Sequence, residues 1–259
     1  MMLWFFKYQG TGNDFVILDN RSQQIALTSQ EIAFLCNRRM GIGADGLMLL
    51  QEKQGYDFEM VYYNADGKPS SMCGNGARCM VAFAASLGII ESKTHFLAVD
   101  GPHEAIIPSF QYVSLKMQDV NQITRDGQHC VLNTGSPHYV QFEKEIDQMN
   151  VVHEGRKIRY SNAYAAEGIN VNFAVKTQDH LQVRTYERGV EDETLSCGTG
   201  VTAAALASAD ADGSYDIPVE TPGGSLRVRF EKTSADQFSN IWLSGPATFV
   251  FKGEINLPR

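Results

Sequence analysis

The apolar positions of this chain fall mostly into short runs rich in β-branched and aromatic residues, several of them alternating with polar ones. That pattern predicts strands over Leu3–Gln9, Asp14–Asp19, Leu47–Gln51, Phe58–Tyr63, Tyr112–Met117, Leu181–Tyr186 and Ser225–Phe230. Helices are fewer. The stretch "TSQE" at 28–31 has the capping-box pattern and predicts a helix from Ser29 to about Asn37. Two more are predicted behind Cys73 in "SMCGNGARCMVAF" (71–83) and behind Cys197 in "SCGTGVTAAALAS" (196–208). In both, a cysteine among glycines runs straight into an apolar, alanine-containing segment. A glycine closes each helix: Gly88 comes 15 residues after Cys73, and Gly213 comes 16 after Cys197.

The surroundings of the two cysteines match as well. Phe15 in "DFV" lies 58 residues ahead of Cys73, and Tyr139 in "HYV" lies 58 ahead of Cys197. A strand ending at Tyr63, then Asn64 and a polar loop, precede the first cysteine. A strand ending at Tyr186, then Glu187, Arg188 and a polar loop, precede the second. Ala77, Met80 and Val81 recur as Val201, Ala204 and Ala205 at the same distances from their cysteines. Chance repetition of Cys-Gly-x-Gly would not bring strand, loop and helix with it. The chain reads as an internal duplication in which each half presents one thiol.

Composition narrows the partners. A chain of 259 residues fits one large domain or two small ones, with room for a proper core. A content of 43% hydrophobic and 20% charged residues is ordinary for a soluble globular protein. The net charge of −8 argues against nucleic acid or an anionic membrane as partner. The longest apolar run, Met80 to Ile90, is broken by Ser86 and Gly88 and is too short to span a bilayer. The start "MMLWFFKYQGTGND" lacks the zones of a signal peptide, so a cytoplasmic location is expected. The five cysteines (Cys36, Cys73, Cys79, Cys130 and Cys197) are odd in number and irregularly spaced, with no Cys-x-x-Cys pair. They are expected to be thiols, with neither a disulfide framework nor zinc.

A helix N-terminus carries unpaired N–H groups and about half a positive charge. A thiol placed there is drawn from a free pKa of roughly 8.5 toward neutrality, because the thiolate is the stabilised form. Glycines allow close approach to the backbone, so the same N–H groups can grip a carboxylate. Cys-Gly-x-Gly at a helix start is therefore a carboxylate cradle beside a tunable acid or base. If two such halves face one another, the α-carbon of a bound amino acid lies between two thiols. One thiolate can remove the α-proton while the opposite thiol returns one to the other face, inverting the centre.

At these residues the sequence resembles the diaminopimelate epimerases, cofactor-independent epimerases of bacterial lysine and cell-wall precursor synthesis. The resemblance runs through "GTGNDFVILD" (10–19), "GIGADG" (41–46), "NADGKPSSMCGNGARC" (64–79), "TGSPHYV" (134–140), "GINVNF" (168–173), "YERGVEDETLSCGTG" (186–200) and "GPATFVFKGEI" (245–255). It implies an α+β fold of two pseudo-symmetric domains, each a curled, barrel-like mixed β-sheet around a central helix, with the active site in the cleft between them. The expected division is 1–117 plus about 246–259, and 118–245. It also implies catalytic Cys73 and Cys197, with His138 and Glu187 tuning them. Gly74, Asn75, Gly198 and Thr199 would hold the reacting end of the substrate. Asn13, Asn64, Asn170, Glu187 and Arg188 would complete its binding. Arg188 suits a carboxylate held in bidentate fashion, and Glu187 suits an ammonium. The implied enzyme interconverts LL- and meso-2,6-diaminopimelate as a homodimer, without cofactor or metal.

Three positions depart from the family pattern: Ser136 stands where asparagine is usual, Gly46 aligns with a glutamine of some members, and "GVEDETLS" is one residue longer. Other features read as plain structure. "GIGADG" is literally G-x-G-x-x-G, but a helix precedes it and a strand follows, the reverse of a dinucleotide fingerprint. Cys36, Cys79 and Cys130 are expected as buried small hydrophobes. Asn13 and Asn64 sit in turn sequences whatever else they do. Three alternatives remain on this sequence: a proline-racemase-like enzyme, which would carry histidine where Asn75 stands; a cysteine hydrolase using His138 as base; and a non-catalytic amino-acid-binding module.

Overall fold

A computed structural model of the chain describes residues 1–127 and 129–258. Two compact units make it up, Met1–Leu115 with Gly245–Arg259, and Lys116–Ser244. In chain order the first unit forms β1 (Met2–Gly10), β2 (Asn13–Asp19), α1 (Ser29–Cys36), β3 (Gly46–Gln51), β4 (Glu59–Asn64) and α2 (Gly74–Ser86). It continues through β5 (Lys93–Ala98), β6 (Gly101–Ser109) and β7 (Tyr112–Lys116). The second begins with β8 (Ile123–Asp126), β9 (His129–Asn133), β10 (Pro137–Phe142), α3 (Val151–Arg159) and β11 (Asn170–Lys176). Then come β12 (Leu181–Glu187), β13 (Asp192–Thr194), α4 (Gly198–Ala207), β14 (Gly213–Thr221), β15 (Gly224–Ser234) and β16 (Gln237–Pro246). Strand β17 (Thr248–Asn256) returns to the first unit and pairs antiparallel with β1.

The duplication holds strand by strand. In the first unit β1/β2 is antiparallel, β2/β3 parallel, β3/β4 antiparallel, β4/β5 parallel, and β5/β6 and β6/β7 antiparallel. In the second, β9/β10, β10/β11, β11/β12, β12/β14, β14/β15 and β15/β16 repeat that series of directions. Each parallel pair is joined through a helix, as a parallel connection requires. The flanking helix comes first (α1, α3) and the central one second (α2, α4).

Helices on both faces explain why the inner strands are apolar throughout. Val16, Leu18, Leu47 and Leu49 cluster with Ile32, Leu35 and Cys36 of α1. Their alternates Phe15, Ile17, Met48 and Leu50 are fully buried, and α2 lies against β1, β2 and β3. Ala77, Cys79, Met80, Val81, Phe83 and Ala84 of α2, like Val201, Ala203, Ala204, Ala205 and Leu206 of α4, have no exposed surface. Each is a core helix, buried on every side over most of its length. Among the described residues no helix is long and apolar enough to cross a membrane.

Local chemistry sets the helix ends. Thr28 and Glu31 close the expected capping box on α1, Thr28 N–H donating to Glu31 Oε2 at 2.8 Å and Glu31 N–H to Thr28 Oγ1 at 3.3 Å. Helix α2 stops as expected at Gly88 (φ +71), where Gly88 N–H donates to Ala85 O and Ile89 N–H to Ala84 O. Gly213 does not close α4. That helix ends at Ala207, with Ser208 Oγ donating to Ala205 O at 2.8 Å, and Gly213 opens β14. Helix α3 was not among the expected elements. Its β-branched residues and Gly155 weaken the helical pattern, and Asn150 caps it by accepting from His153 N–H at 3.0 Å. Glycine is required there: a Cβ on residue 155 would lie 2.5 Å from Tyr186 Cβ.

Candidate active site

In the first unit Cys73 is the N-cap of α2, in extended backbone (φ −119°, ψ 121°), and its side chain does not cap the helix. Its Sγ lies 3.6 Å from Asn13 Oδ1, and Asn75 Nδ2 reaches the same oxygen at 3.5 Å. Asn13 is aimed from behind, since its Nδ2 donates to Asp45 Oδ2 at 2.6 Å. Arg38 ties Asp45 to Asp14, and Lys7 pairs with Asp14 at 2.6 Å while also donating to Gly43 O. Burial pushes the Asp14 carboxyl up, but hydrogen bonds from Arg38 and Lys7 prevail and hold it at about 2. The "GIGADG" loop thus braces the Asn13 turn. Gly46 admits no larger side chain without movement, because a Cβ there would sit 2.5 Å from the Tyr62 ring.

Below the mouth of α2 lies Arg78, which is wholly buried. Its guanidinium donates to Asn75 Oδ1 at 2.9 Å, to Gly74 O and Thr11 Oγ1 at 3.4 Å, and to Pro246 O at 3.5 Å. All four acceptors are neutral. Burial works against this charge, and ionisation of Cys79 or Cys73 would support it. Burial holds the Cys79 thiol at about 12. Asn64 is exposed at the end of β4 opposite Gly46, its backbone closing the turn to Lys68.

The second unit repeats the cap. Cys197 is the N-cap of α4 (φ −114°, ψ 110°), 8% exposed, with Sγ 3.5 Å from Thr199 Oγ1. Thr134 Oγ1 donates to Thr199 O at 2.8 Å and Thr202 Oγ1 to Gly198 O at 2.9 Å, pinning the first turn. His138 is wholly buried, and burial, followed by the positive charge of Arg188, pulls its imidazole down to about 3. The Asn172–His138 contact is 3.1 Å, from Nδ2 to Nδ1. Gly200 must be glycine, since a Cβ would fall 2.3 Å from Asn172 Oδ1.

Asn170, 4% exposed, donates to Ser136 Oγ at 2.8 Å and Pro137 O at 3.1 Å, and accepts from Arg188 N–H at 2.9 Å. Its amide thus braces the turn holding Ser136 to the end of β12, where Glu187 and Arg188 project. Arg188 Nη1 also donates to Glu167 O at 3.1 Å. In the longer loop Glu191 takes φ +60°, and its carboxylate accepts from Gly189 N–H at 3.1 Å, Tyr160 Oη at 2.9 Å and Tyr186 Oη at 3.0 Å.

Of the sequence-derived residues, Asn13, Cys73, Gly74 and Asn75 meet at the mouth of α2, and Cys197, Gly198 and Thr199 at the mouth of α4. His138, Asn170 and Arg188 form a third linked group. Thr11, Arg78, Thr134 and Asn172 support these groups and were not singled out. Asn172 had a visible signal, because it shares a strand face with Asn170 two residues away, in a strand whose other residues before Lys176 are apolar.

The arrangement of strands and helices in this chain is shared with solved structures of low sequence similarity. A phenazine biosynthesis protein of the PhzF family from Bacillus anthracis superposes with TM-score 0.73 at 15% identity, over 99% of both chains. A hydroxyproline epimerase from Agrobacterium vitis gives 0.71 at 13% identity, covering 98% of this chain and 92% of its own. The fold is therefore that of the PhzF and racemase-like structures. Within that class, the diaminopimelate epimerase family model matches residues 5–107 and 130–250. The diaminopimelate epimerase of Flavobacterium psychrophilum is 50% identical over 254 residues, 96% of this chain and 99% of its own length. This chain belongs to the diaminopimelate epimerase family.

Proposed function

We propose that this chain interconverts LL-2,6-diaminopimelate and meso-2,6-diaminopimelate by two-thiol acid/base chemistry, in lysine biosynthesis and without a cofactor. What carries the reading is the repetition of one device: a cysteine as N-cap of the buried central helix, in each of two units of like topology. The backbone N–H groups beside Gly74, Asn75, Gly198 and Thr199 would grip the carboxylate at the reacting carbon. One thiolate takes the α-proton, the C–H electron pair remains on carbon, and the N–H donors stabilise the charge that develops on the carboxylate. The other thiol gives its S–H proton to the opposite face. One thiol and one thiolate have then exchanged roles, and nothing is oxidised or reduced. Asn13, Asn64, Asn170, Glu187 and Arg188 would bind the remainder of the substrate, and His138 and Glu187 would tune the thiols.

A hydrolase reading is disfavoured by His138, which is buried and held at about 3, far below a useful general base near neutrality. The test is incubation with LL-diaminopimelate or L-proline in D2O, following α-deuterium by NMR. Exchange on diaminopimelate is expected, and exchange on proline alone overturns the reading.

The working form in the cytoplasm would be a homodimer. Three consecutive residues of β17, Phe249, Val250 and Phe251, are 37%, 51% and 44% exposed, which leaves an apolar strand open to a second copy. Val250→Asp is expected to shift the mass found by light scattering from dimer to monomer. A wild-type chain that is monomeric at micromolar concentration contradicts this.

A further inference from the structure

Asn172 is wholly buried and touches three partners. Its Nδ2 lies 3.0 Å from Tyr139 O and 3.1 Å from His138 Nδ1, and its Oδ1 accepts from Thr185 Oγ1 at 2.9 Å. A main-chain carbonyl can only accept, so the atom facing Tyr139 O must be the amide nitrogen. The second hydrogen of that NH2 then points to His138 Nδ1, which must offer its lone pair. A neutral imidazole with a bare Nδ1 carries its proton on Nε2. Neutrality follows from complete burial beside the positive Arg188. The Nε2 atom is itself buried and has no hydrogen-bond partner among the described residues. A fold seldom leaves such a donor idle unless its acceptor arrives from elsewhere.

We propose that Asn172 is a positioning residue: it fixes His138 as the neutral Nε2–H tautomer and so keeps that N–H as a donor for an anion formed or bound during the reaction. Gly200 belongs to the same device. A Cβ there would lie 2.3 Å from Asn172 Oδ1, so glycine lets the amide stand against the first turn of α4. The tautomer is independent of the epimerase reading, and only the identity of the acceptor rests on it. Two anions share the required chemistry, the substrate carboxylate and a cysteine thiolate.

The experiment uses 15N-histidine-labelled full-length protein at pH 7 without ligand, with His138 identified by the signal lost in His138→Gln. Wild type is expected to show a protonated Nε2 and a bare Nδ1. In Asn172→Asp the carboxylate can only accept, so the proton should move to Nδ1, with kcat falling about 100-fold or more and KM little changed. Adding diaminopimelate should shift the Nε2–H proton if its acceptor is a carboxylate, and raising the pH without ligand should do so if it is a thiolate. If neither moves it, the donor role is wrong. A protonated Nδ1 in wild type overturns the inference, a result that needs no folded variant. Asn172→Asp with unchanged tautomer and kcat overturns it too. An inactive wild type with the expected tautomer would instead refute the epimerase reading alone.

Discussion

Replacing either Cys73 or Cys197 with serine is expected to lower kcat for epimerisation at least about 1,000-fold, with the fold intact. The loss follows from removing an acid or base, since a serine hydroxyl ionises far less readily than a thiol. Stability should move the other way. Both cysteines are N-caps that make no capping hydrogen bond, whereas serine is among the favoured caps and could accept from the open first turn. A Tm equal to or slightly above wild type, together with lost activity, separates a chemical role from a structural one. The double variant should be little worse than either single one, because the two thiols act as a unit. Full activity in either single variant, measured by initial rates with LL-diaminopimelate, would leave only one thiol in the chemistry.

His138 should make the fold sensitive to acid well above the range in which carboxylates titrate. Its folded pKa, about 3, lies below the ordinary histidine value of 6.5, so between those limits the unfolded chain binds a proton that the folded chain refuses. Stability therefore rises with pH across that window and is lost as pH falls, by about 3 kcal/mol between pH 7 and pH 4. Asp14, held at about 2 against an ordinary 3.8, adds its own loss only below the latter value, so the two are separable. Urea unfolding at pH 7, 5 and 4 reads the effect directly. His138→Gln should flatten the slope across this range, and an unchanged slope would mean that the folded protein protonates His138 freely.

Much of this molecule is written locally. The capping box at Thr28, the glycine stop at Gly88, the apolar runs of β2 and β3, and the two cysteine-capped helices all follow from neighbours in sequence. Strands β6 and β14 are harder to read, since Pro102 and Pro108 lie within the first and Pro218 within the second, weakening any strand pattern. Helix α3 has little helical propensity of its own, and its strongest signal is the repeat: if α1 joins β2 to β3, something must join β10 to β11. The supporting shell was the least visible. Arg78 looks like an ordinary helix residue until its burial is known, and Asn172 acquires meaning only when β10 and β11 lie side by side. Those contacts depend on strand register, which no local pattern fixes.

The reaction in D2O, sampled during the first turnovers, bears most directly on whether two opposed thiols do the work. With protonated LL-diaminopimelate as substrate, the meso product should carry deuterium at the inverted carbon from its first appearance, because the returning proton comes from a second, solvent-equilibrated thiol. Unreacted substrate should still hold its original hydrogen. Early product that retains the substrate's own proton would mean that one base serves both faces.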